Sequence, residues 1–332
     1  DGSPRAAAEL LDGMFSSDGH MAVTASNAGV VQLWRIDIEK RTISALADPL
    51  YFAGGVFSVK LSRDDRRLVA GSNDGTVKIW ELPDFKKDPG GLPLLIGAPL
   101  KHKDRVTYVE FSPDPGGERV LTASRDGTAR IWDASNGRQI GEPFEHSNWI
   151  FQARFTPDGS RVITASRDGS AQMWDAETGR PLGEPFYHSA GVNRVRITQD
   201  GTKILTAGND GFARLWQMRP SQPRSMIFRH RIMPQWEMYG GSVRAQFMSS
   251  GKQLITGAFD HAPKLWDVSN GRMLTTLPQS LVGSLSVSPN GKQVAMSTYS
   301  EYYNQSTLWT FLKPVDGESP ISKIGRELPM GP

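Results

Sequence analysis

The stretch Thr164-Ala-Ser-Arg-Asp-Gly-Ser-Ala-Gln-Met-Trp174-Asp175 decides the fold of this chain. An apolar run, an Asp-Gly pair and a second run ending in Trp-Asp predict two antiparallel strands, since Asp-Gly favours two-residue hairpins. Similar stretches occur at 122–133, 206–217 and 256–267, weaker ones at 24–35 and 70–81, and a seventh is marked mainly by a tryptophan at position 309. The sequence therefore predicts one small β unit that is repeated seven times.

The tryptophans that close the repeats set the period of the series. Successive members are 42 to 52 residues apart, and the longer gaps contain loop insertions; they are Trp34, Trp80, Trp132, Trp174, Trp216, Trp266 and Trp309. A period of about 40–45 residues with four short strands in each unit is typical of β-propeller blades. We therefore predict an all-β, seven-bladed β-propeller of four-stranded antiparallel blades, forming a single domain over 1–332. The predicted blades span approximately 6–52, 53–100, 101–145, 146–187, 188–238, 239–280 and 281–330.

The fourth unit shows the predicted strands most clearly. They cover 149–155, 161–166, 170–174 and 181–186, and are called a, b, c and d from the inside of the blade outwards. The prolines in the last segment are typical of an edge strand. We expect each blade to be contiguous in sequence. The alternative is that residues 1–5 and further upstream residues supply a strand that closes the ring.

Composition excludes several classes of protein. The chain has 332 residues, a net charge of +3 and no cysteine, so it forms neither disulfides nor thiolate sites. No apolar run approaches the roughly 20 residues of a membrane-spanning helix, and there is no signal-peptide pattern. We therefore expect a cytoplasmic protein without a membrane span. The start at Asp1-Gly-Ser-Pro4 suits an excised domain or a processed product.

Three consecutive repeats contain a histidine, a threonine, an aspartate and a tryptophan in nearly fixed register. The sets are His102, Thr122, Asp126 and Trp132; His146, Thr164, Asp168 and Trp174; and His188, Thr206, Asp210 and Trp216. A hydroxyl, an imidazole and a carboxylate match the composition of a nucleophilic triad. A catalytic site is built once, however, whereas this set occurs three times. The pattern therefore favours structural hydrogen bonds that join each blade's inner loop to its strands.

These residues and the segment 122–133, preceded by Phe111-Ser-Pro-Asp114, closely resemble the WD-repeat β-propellers. The resemblance implies that the three sets are the family's structural tetrads. The second repeat departs from the pattern at Ala70, the sixth is expected to lack a histidine in register, and the first and seventh keep little beyond the tryptophan. The phrase Gly-Glu-Pro-Phe-x-His, at 141–146 and 183–188, resembles bacterial WD-repeat chains, in which the propeller is often part of a larger regulatory protein.

The resemblance also implies a binding surface on the top face, where the d–a and b–c loops meet. The residues expected there are Phe57, Arg105, Arg125, Trp149, Phe151, Arg167, Asn193 and Phe259, to which two insertions add Trp236 and Tyr302. Tryptophan, tyrosine and arginine are enriched in binding hot spots. Alternatively, the aromatic residues cap the inner end of the blade and the arginines pair with neighbouring acids.

The function that these features predict is a non-catalytic scaffold, with no cofactor and no metal, that binds a peptide or a partner domain. Six histidines without a metal-ligand spacing, no phosphate loop and no dinucleotide fingerprint favour this interpretation. An RNA or single-stranded nucleic-acid binder is the alternative, because aromatics interleaved with arginines also suit stacked bases. A hydrolase that uses one His-Thr-Asp set is disfavoured by the repetition of that set.

Overall fold

The computed structural model describes residues 9–37, 39–88, 90–217, 225–229, 243–248, 251–258, 261–277, 282–287, 293–298, 305–311 and 321–322. The chain packs as two compact units, Asp1–Phe186 and Tyr187–Pro332, and each is described by itself. The described elements of both units are strands joined by turns, which confirms the all-β prediction.

The first unit contains four antiparallel sheets built from consecutive strands. Sheet 1 contains β1 (Leu10–Phe15), β2 (Met21–Ser26), β3 (Val30–Asp37), β4 (Thr42–Ala45) and β5 (Leu50–Tyr51). Sheet 2 contains β6 (Val56–Leu61), β7 (Arg67–Ser72), β8 (Thr76–Glu81), β9 (Leu94–Leu95) and β10 (Leu100–Lys101). Sheet 3 contains β11 (Val106–Phe111), β12 (Arg119–Ser124), β13 (Thr128–Asp133) and β14 (Gln139–Glu145). Sheet 4 contains β15 (Ile150–Phe155), β16 (Arg161–Ser166), β17 (Ser170–Asp175) and β18 (Phe186–Tyr187), whose last residue already belongs to the second unit.

The second unit contains three sheets of the same kind. Sheet 5 contains β19 (Val192–Ile197), β20 (Lys203–Gly208), β21 (Phe212–Gln217) and β22 (Ser225–Arg229). Sheet 6 contains β23 (Arg244–Phe247), β24 (Gln253–Ala258), β25 (His261–Asp267) and β26 (Met273–Thr276). Sheet 7 contains β27 (Val282–Val287), β28 (Gln293–Thr298), β29 (Gln305–Phe311) and β30 (Ile321–Ser322).

The apolar core of each unit lies between successive sheets. In the first unit, Leu121 and Ile131 of sheet 3 share a cluster with Ile150 of sheet 4, and all three are at most 1% exposed. A strand that is buried on both faces needs apolar or small residues at nearly every position, so β16 shows no alternation.

The Asp-Gly turn between the second and third strands places the next repeat. Gly127 and Gly169 have φ angles of 84° and 92°, in the left-handed region that favours glycine. The carbonyl of Gly127 accepts the backbone N–H of His146 at 2.9 Å, and a Cβ at Gly127 would lie 3.0 Å from the His146 carbonyl oxygen. The turn of sheet 3 therefore fixes the histidine that serves sheet 4.

The first turn of sheet 2 contains an aspartate where the corresponding turn of sheet 4 has Gly159. Asp65 has a φ of 57°, against 69° for Gly159. Its carboxylate accepts the backbone N–H of Ser17 at 2.9 Å and the Ser17 hydroxyl at 2.5 Å. Asp65 therefore combines a left-handed backbone conformation, which a side chain disfavours, with hydrogen bonds that join sheets 1 and 2.

The outer strands differ from the prediction. A continuous strand over 181–186 was expected, but Pro181 forms an isolated bridge with Trp174 and the strand itself is Phe186–Tyr187. Gly183 has a φ of 71°, and a proline has no N–H to donate, so the ladder is interrupted. The outer strand is also divided in sheets 1 and 2, where β5 and β9 pair separately from β4 and β10.

Seven sheets follow one another along the chain, as the repeat series predicts, and each is contiguous in sequence. The assignment of 1–332 to a single domain, with the blade limits given above, stays a prediction. In the described ranges there is no helix long and apolar enough to cross a membrane.

Candidate functional site

The histidine sets of sheets 3 and 4 form the same hydrogen-bonded chain. His102 Nδ1 lies 2.9 Å from Asp126 Oδ2, and its Nε2 lies 2.7 Å from Thr122 Oγ1, which also accepts Trp132 Nε1–H at 2.9 Å. In sheet 4 the corresponding distances from His146 are 2.8 Å to Asp168 and 2.6 Å to Thr164, and the indole donates to the same threonine at 2.8 Å. The threonine hydroxyls are fully buried and bonded on both sides.

Sheet 5 has the same chain with one added cation. His188 lies 3.0 Å from Asp210 and 2.7 Å from Thr206, which accepts Trp216 Nε1–H at 2.8 Å. Arg214 donates to Asp210 at 2.6 Å and also contacts His188. The residue after Asp-Gly is a phenylalanine here, whereas sheets 3 and 4 have a hydroxyl that donates to the aspartate. The guanidinium therefore takes the place of that hydroxyl.

These surroundings set the charge of each aspartate. Burial alone would raise the pKa of Asp126 and of Asp168, but hydrogen bonds from the histidine and the nearby hydroxyl lower both well below the usual range. At Asp210, burial likewise raises the pKa, but the hydrogen bonds and charges of His188 and Arg214 lower it to about 2. Burial lowers the pKa of His188, and Asp210 only partly offsets this. The three carboxylates are therefore ionised partners of the histidines.

In sheet 2, apolar residues replace the histidine and the threonine of the hydrogen-bonded sets, and the sequence analysis predicted only the second replacement. Ala70 was expected to break the pattern, but the role of Phe52 was missed. Its ring lies 5.9 Å from that of Trp80 at 72°, much as His102 lies 6.2 Å from Trp132 at 75°. Its N–H donates to Gly29 as that of His146 donates to Gly127. The spacing from Phe52 to Ala70 equals that from His146 to its threonine, and this was the available signal.

The sixth repeat repeats part of the same frame. Phe228 pairs with Ala213 and its ring lies 5.3 Å from that of Trp266, as Phe144 pairs with Ala129 and packs 5.5 Å from Trp174. Trp266 Nε1–H donates to Thr256 at 2.7 Å. In the sequence His230 follows Phe228 by two residues, as His146 follows Phe144. His230 itself lies outside the described residues.

A repeated backbone hydrogen bond places the arginines that were predicted to form the binding surface. The residue before each turn aspartate donates its N–H to the residue before the first strand of its own sheet. Arg125 donates to Arg105 at 2.9 Å in sheet 3, and Arg167 donates to Trp149 at 2.8 Å in sheet 4. The four residues therefore occupy equivalent positions in two neighbouring sheets, and we call them the Trp149 surface.

Two guanidinium groups of the Trp149 surface pack on one indole. The guanidinium carbons of Arg125 and Arg167 each lie 4.3 Å from the centroid of the Trp149 ring. Trp149 is partly exposed and Arg167 is exposed. Such contacts contribute roughly 0.5–1 kcal/mol at exposed sites and hold long side chains in place. The structure therefore brings together Trp149, Arg125 and Arg167, which were predicted to form one patch.

The alternative that these arginines pair with acids is wrong for the described residues. There, no carboxylate lies within ion-pair distance of Arg105, Arg125 or Arg167, and none of the three guanidiniums donates a hydrogen bond. Burial lowers the pKa of Arg125, and the charges of Arg105 and Arg167 lower it further, while Asp104 opposes them. The Trp149 surface is therefore cationic and self-repelling.

The remaining predicted contact residues on the first strands lie at β-bulges. Pairing shifts between Val106 and Tyr108 and between Ile150 and Gln152, which leaves residues 107 and 151 out of the ladder. Phe57 and Asn193 occupy the same bulge position in sheets 2 and 5. A bulge re-aims a side chain and depends on strand pairing, so the sequence pattern alone did not show it.

The bulge residues differ in exposure. Phe57 is 38% exposed, and Phe151 is partly buried. Asn193 is 8% exposed and its amide donates to Asn209, so its side chain is occupied within sheet 5. Of the other predicted contact residues, Phe259, Trp236 and Tyr302 lie outside the described residues.

In the described ranges, no three His, Asp or Glu side chains are grouped so that they could bind a metal ion. The imidazoles of the three sets are bonded at both nitrogens. What the arrangement can do is present a rigid cationic and aromatic surface.

The sequence is similar to those of proteins with WD repeats. A model of the WD domain, G-beta repeat family (WD40) matches residues 51–81, 98–133, 137–175 and 179–217. Human striatin-4 is 30% identical over 124 residues, which cover 34% of this chain and 16% of striatin-4. WD repeat and SOCS box-containing protein 1 of Danio rerio is 33% identical over 99 residues, which cover 30% of this chain and 21% of that protein. Protein groucho of Drosophila melanogaster is 25% identical over 140 residues, which cover 42% of this chain and 17% of groucho.

The matched segment thus spans about a fifth or less of each of these relatives. Among solved structures, the computationally designed Ika8 protein superposes with a TM-score of 0.69 at 22% identity, covering 87% of this chain and 80% of that one. That likeness concerns the fold alone. The matched WD40 repeats show that the chain belongs to the WD-repeat family.

Proposed function

We propose that this chain is a non-catalytic scaffold that binds a protein partner, a peptide or a domain, through the Trp149 surface on the top face of the propeller. The observation that supports this most is that Arg125 and Arg167 pack on Trp149 at 4.3 Å and form no ion pair with any described acid. A partly desolvated aromatic and arginine cluster is typical of binding hot spots. The WD-repeat family consists largely of interaction scaffolds, which favours the same function.

The histidine sets support the non-catalytic part of the proposal. A nucleophile needs access to a substrate, but Thr122, Thr164 and Thr206 are each 0% exposed. Each hydroxyl bonds a histidine and accepts an indole N–H, so it is already fully used. Three equivalent networks also give no reason for one of them to react.

The wider setting is part of the proposal. The repeated phrase Gly-Glu-Pro-Phe-x-His favours a bacterial regulatory protein in which this propeller is one part. We also propose a cytoplasmic location, where proteins rarely depend on disulfides, for this chain without cysteine.

Affinity capture followed by mass spectrometry tests the function. The immobilised chain is expected to retain a defined set of proteins, and Trp149→Ala combined with Arg167→Glu is expected to lose them at an unchanged unfolding midpoint. The matched control is Arg138→Glu combined with Arg180→Glu, because these exposed arginines lie in the third turns of the same two sheets. Capture that is unaltered by the first pair, or equally reduced by the control pair, contradicts the proposal.

A further inference from the structure

The charge of the Trp149 surface indicates the chemistry of what it binds, an inference that rests on the proposed function. The surface has three guanidiniums: those of Arg125 and Arg167 come from equivalent positions of sheets 3 and 4, and that of Arg105 comes from the position that Trp149 has in sheet 4. The acid that acts on Arg125 is Asp104, whose carboxylate accepts the backbone N–H of Arg105 at 2.6 Å. It forms no ion pair with any guanidinium in the described part of the chain. Arg125 is thus acted on by two positive charges, those of Arg105 and Arg167, and by one negative charge.

Stacking leaves the hydrogen-bonding edges of the arginines available. A guanidinium whose carbon lies 4.3 Å from a ring centroid contacts the indole, and its N–H groups are arranged around its rim. A planar fork of this kind matches a carboxylate bidentately. Because the indole already orients both side chains, less conformational freedom is lost when a ligand binds.

The spacing of the two guanidiniums accommodates two separate anions. Arg125 and Arg167 contact the same ring, so their guanidinium carbons lie at most twice 4.3 Å apart. Residues i and i+2 of an extended peptide point to the same side about 6.6–6.8 Å apart. Two carboxylates at that spacing reach both guanidiniums.

We propose that the partner segment is an extended acidic peptide, with Glu or Asp side chains at i and i+2 that bind Arg125 and Arg167. An apolar side chain of the same peptide packs near Trp149 and the partly exposed Phe151. Arg105 adds long-range attraction, which steers the acidic segment to the surface.

Fluorescence anisotropy tests this with a labelled peptide of sequence Gly-Ser-Glu-Leu-Glu-Ser-Glu-Leu-Glu-Ser-Gly. The proposal predicts saturable binding that is at least tenfold weaker, or about 1.4 kcal/mol, for Arg125→Glu combined with Arg167→Glu. The Arg138→Glu and Arg180→Glu control has the same net charge and is expected to change the affinity less than twofold. Arg125→Gln combined with Arg167→Gln serves as a milder variant if the first one fails to fold.

Three comparison probes complete the experiment. A peptide with Gln in place of Glu that binds equally well, or an equal loss in the control variant, overturns the proposal. So does tighter binding of a phosphoserine peptide, or of labelled oligouridine whose affinity falls steeply with salt, which identifies a nucleic-acid surface. If no acidic peptide binds while partner capture still depends on Trp149, the proposed function stands and this inference fails.

Discussion

Replacing Thr164 with valine tests the role of the buried hydroxyls. Thr164 is 0% exposed, and its Oγ1 lies 2.6 Å from His146 Nε2 and accepts Trp174 Nε1–H at 2.8 Å. Valine keeps the shape of the side chain but leaves the indole N–H and one imidazole nitrogen without a partner. Each buried polar group left unsatisfied costs about 1–3 kcal/mol, so we expect a loss of about 2–6 kcal/mol in the free energy of unfolding.

Urea unfolding of the full chain, followed by far-ultraviolet circular dichroism, measures the loss as a lower midpoint at a similar slope. Thr42→Val is the matched control, because Thr42 lies exposed on the edge strand β4, where a surface change is expected to stay within about 0.5 kcal/mol. Equal midpoints for Thr164→Val and the wild-type chain would refute the structural role of the hydroxyl.

Three further predictions follow from the same framework. Phe52→His and Ala70→Thr should each destabilise sheet 2, whereas the double variant should recover at least about 1 kcal/mol through coupling, as a double-mutant cycle measures. Stability should fall as the pH drops below 6.5, since burial lowers the pKa of His188 and the unfolded chain takes up the proton first. The fall should continue from about pH 4 towards the Asp210 pKa of about 2, because a depressed carboxyl pKa stabilises the fold only while the group is ionised; a midpoint independent of pH between 7 and 3 would contradict this. Asp65→Ala should be about 1 kcal/mol less stable than Asp65→Gly in urea unfolding, because both lose the carboxylate but only alanine keeps a Cβ at a φ of 57°; equal stabilities would show that the backbone there is unstrained.

Much of the fold could be predicted because each repeat contains the residues that specify its turns. The Asp-Gly pair fixes the hairpin of Gly169, and a strand buried on both faces has a composition that is visible without alignment. The outer strand was less predictable. Which of the residues 181–186 pair with the neighbouring strand depends on local φ angles and on prolines that lack an N–H donor. The prolines are visible in the sequence, but the φ angles are not.

The site was predictable where hydrogen-bonding residues recur at a fixed spacing. It was less predictable where apolar packing replaces those hydrogen bonds. The spacing of His146 to Thr164 indicated a hydrogen-bond network. Phe52 occupies the position of the histidine in sheet 2, but an apolar ring does not belong to the hydrogen-bonding pattern and so was not predicted there. Adjacency of Trp149 to two arginines followed from the repeat register. Whether those arginines were paired could not be read from the sequence, because it depends on where acids of other loops lie.

The most direct test compares affinity with stability in two variants at a temperature where both are folded. Thr164→Val weakens the framework and leaves the Trp149 surface intact, whereas Arg125→Glu combined with Arg167→Glu does the opposite. We predict that Thr164→Val binds the labelled acidic peptide within twofold of wild type despite its lower unfolding midpoint. We predict that the double arginine variant binds at least tenfold more weakly, while its midpoint falls less than that of Thr164→Val. The reverse order of affinities would contradict the separation of framework from binding surface.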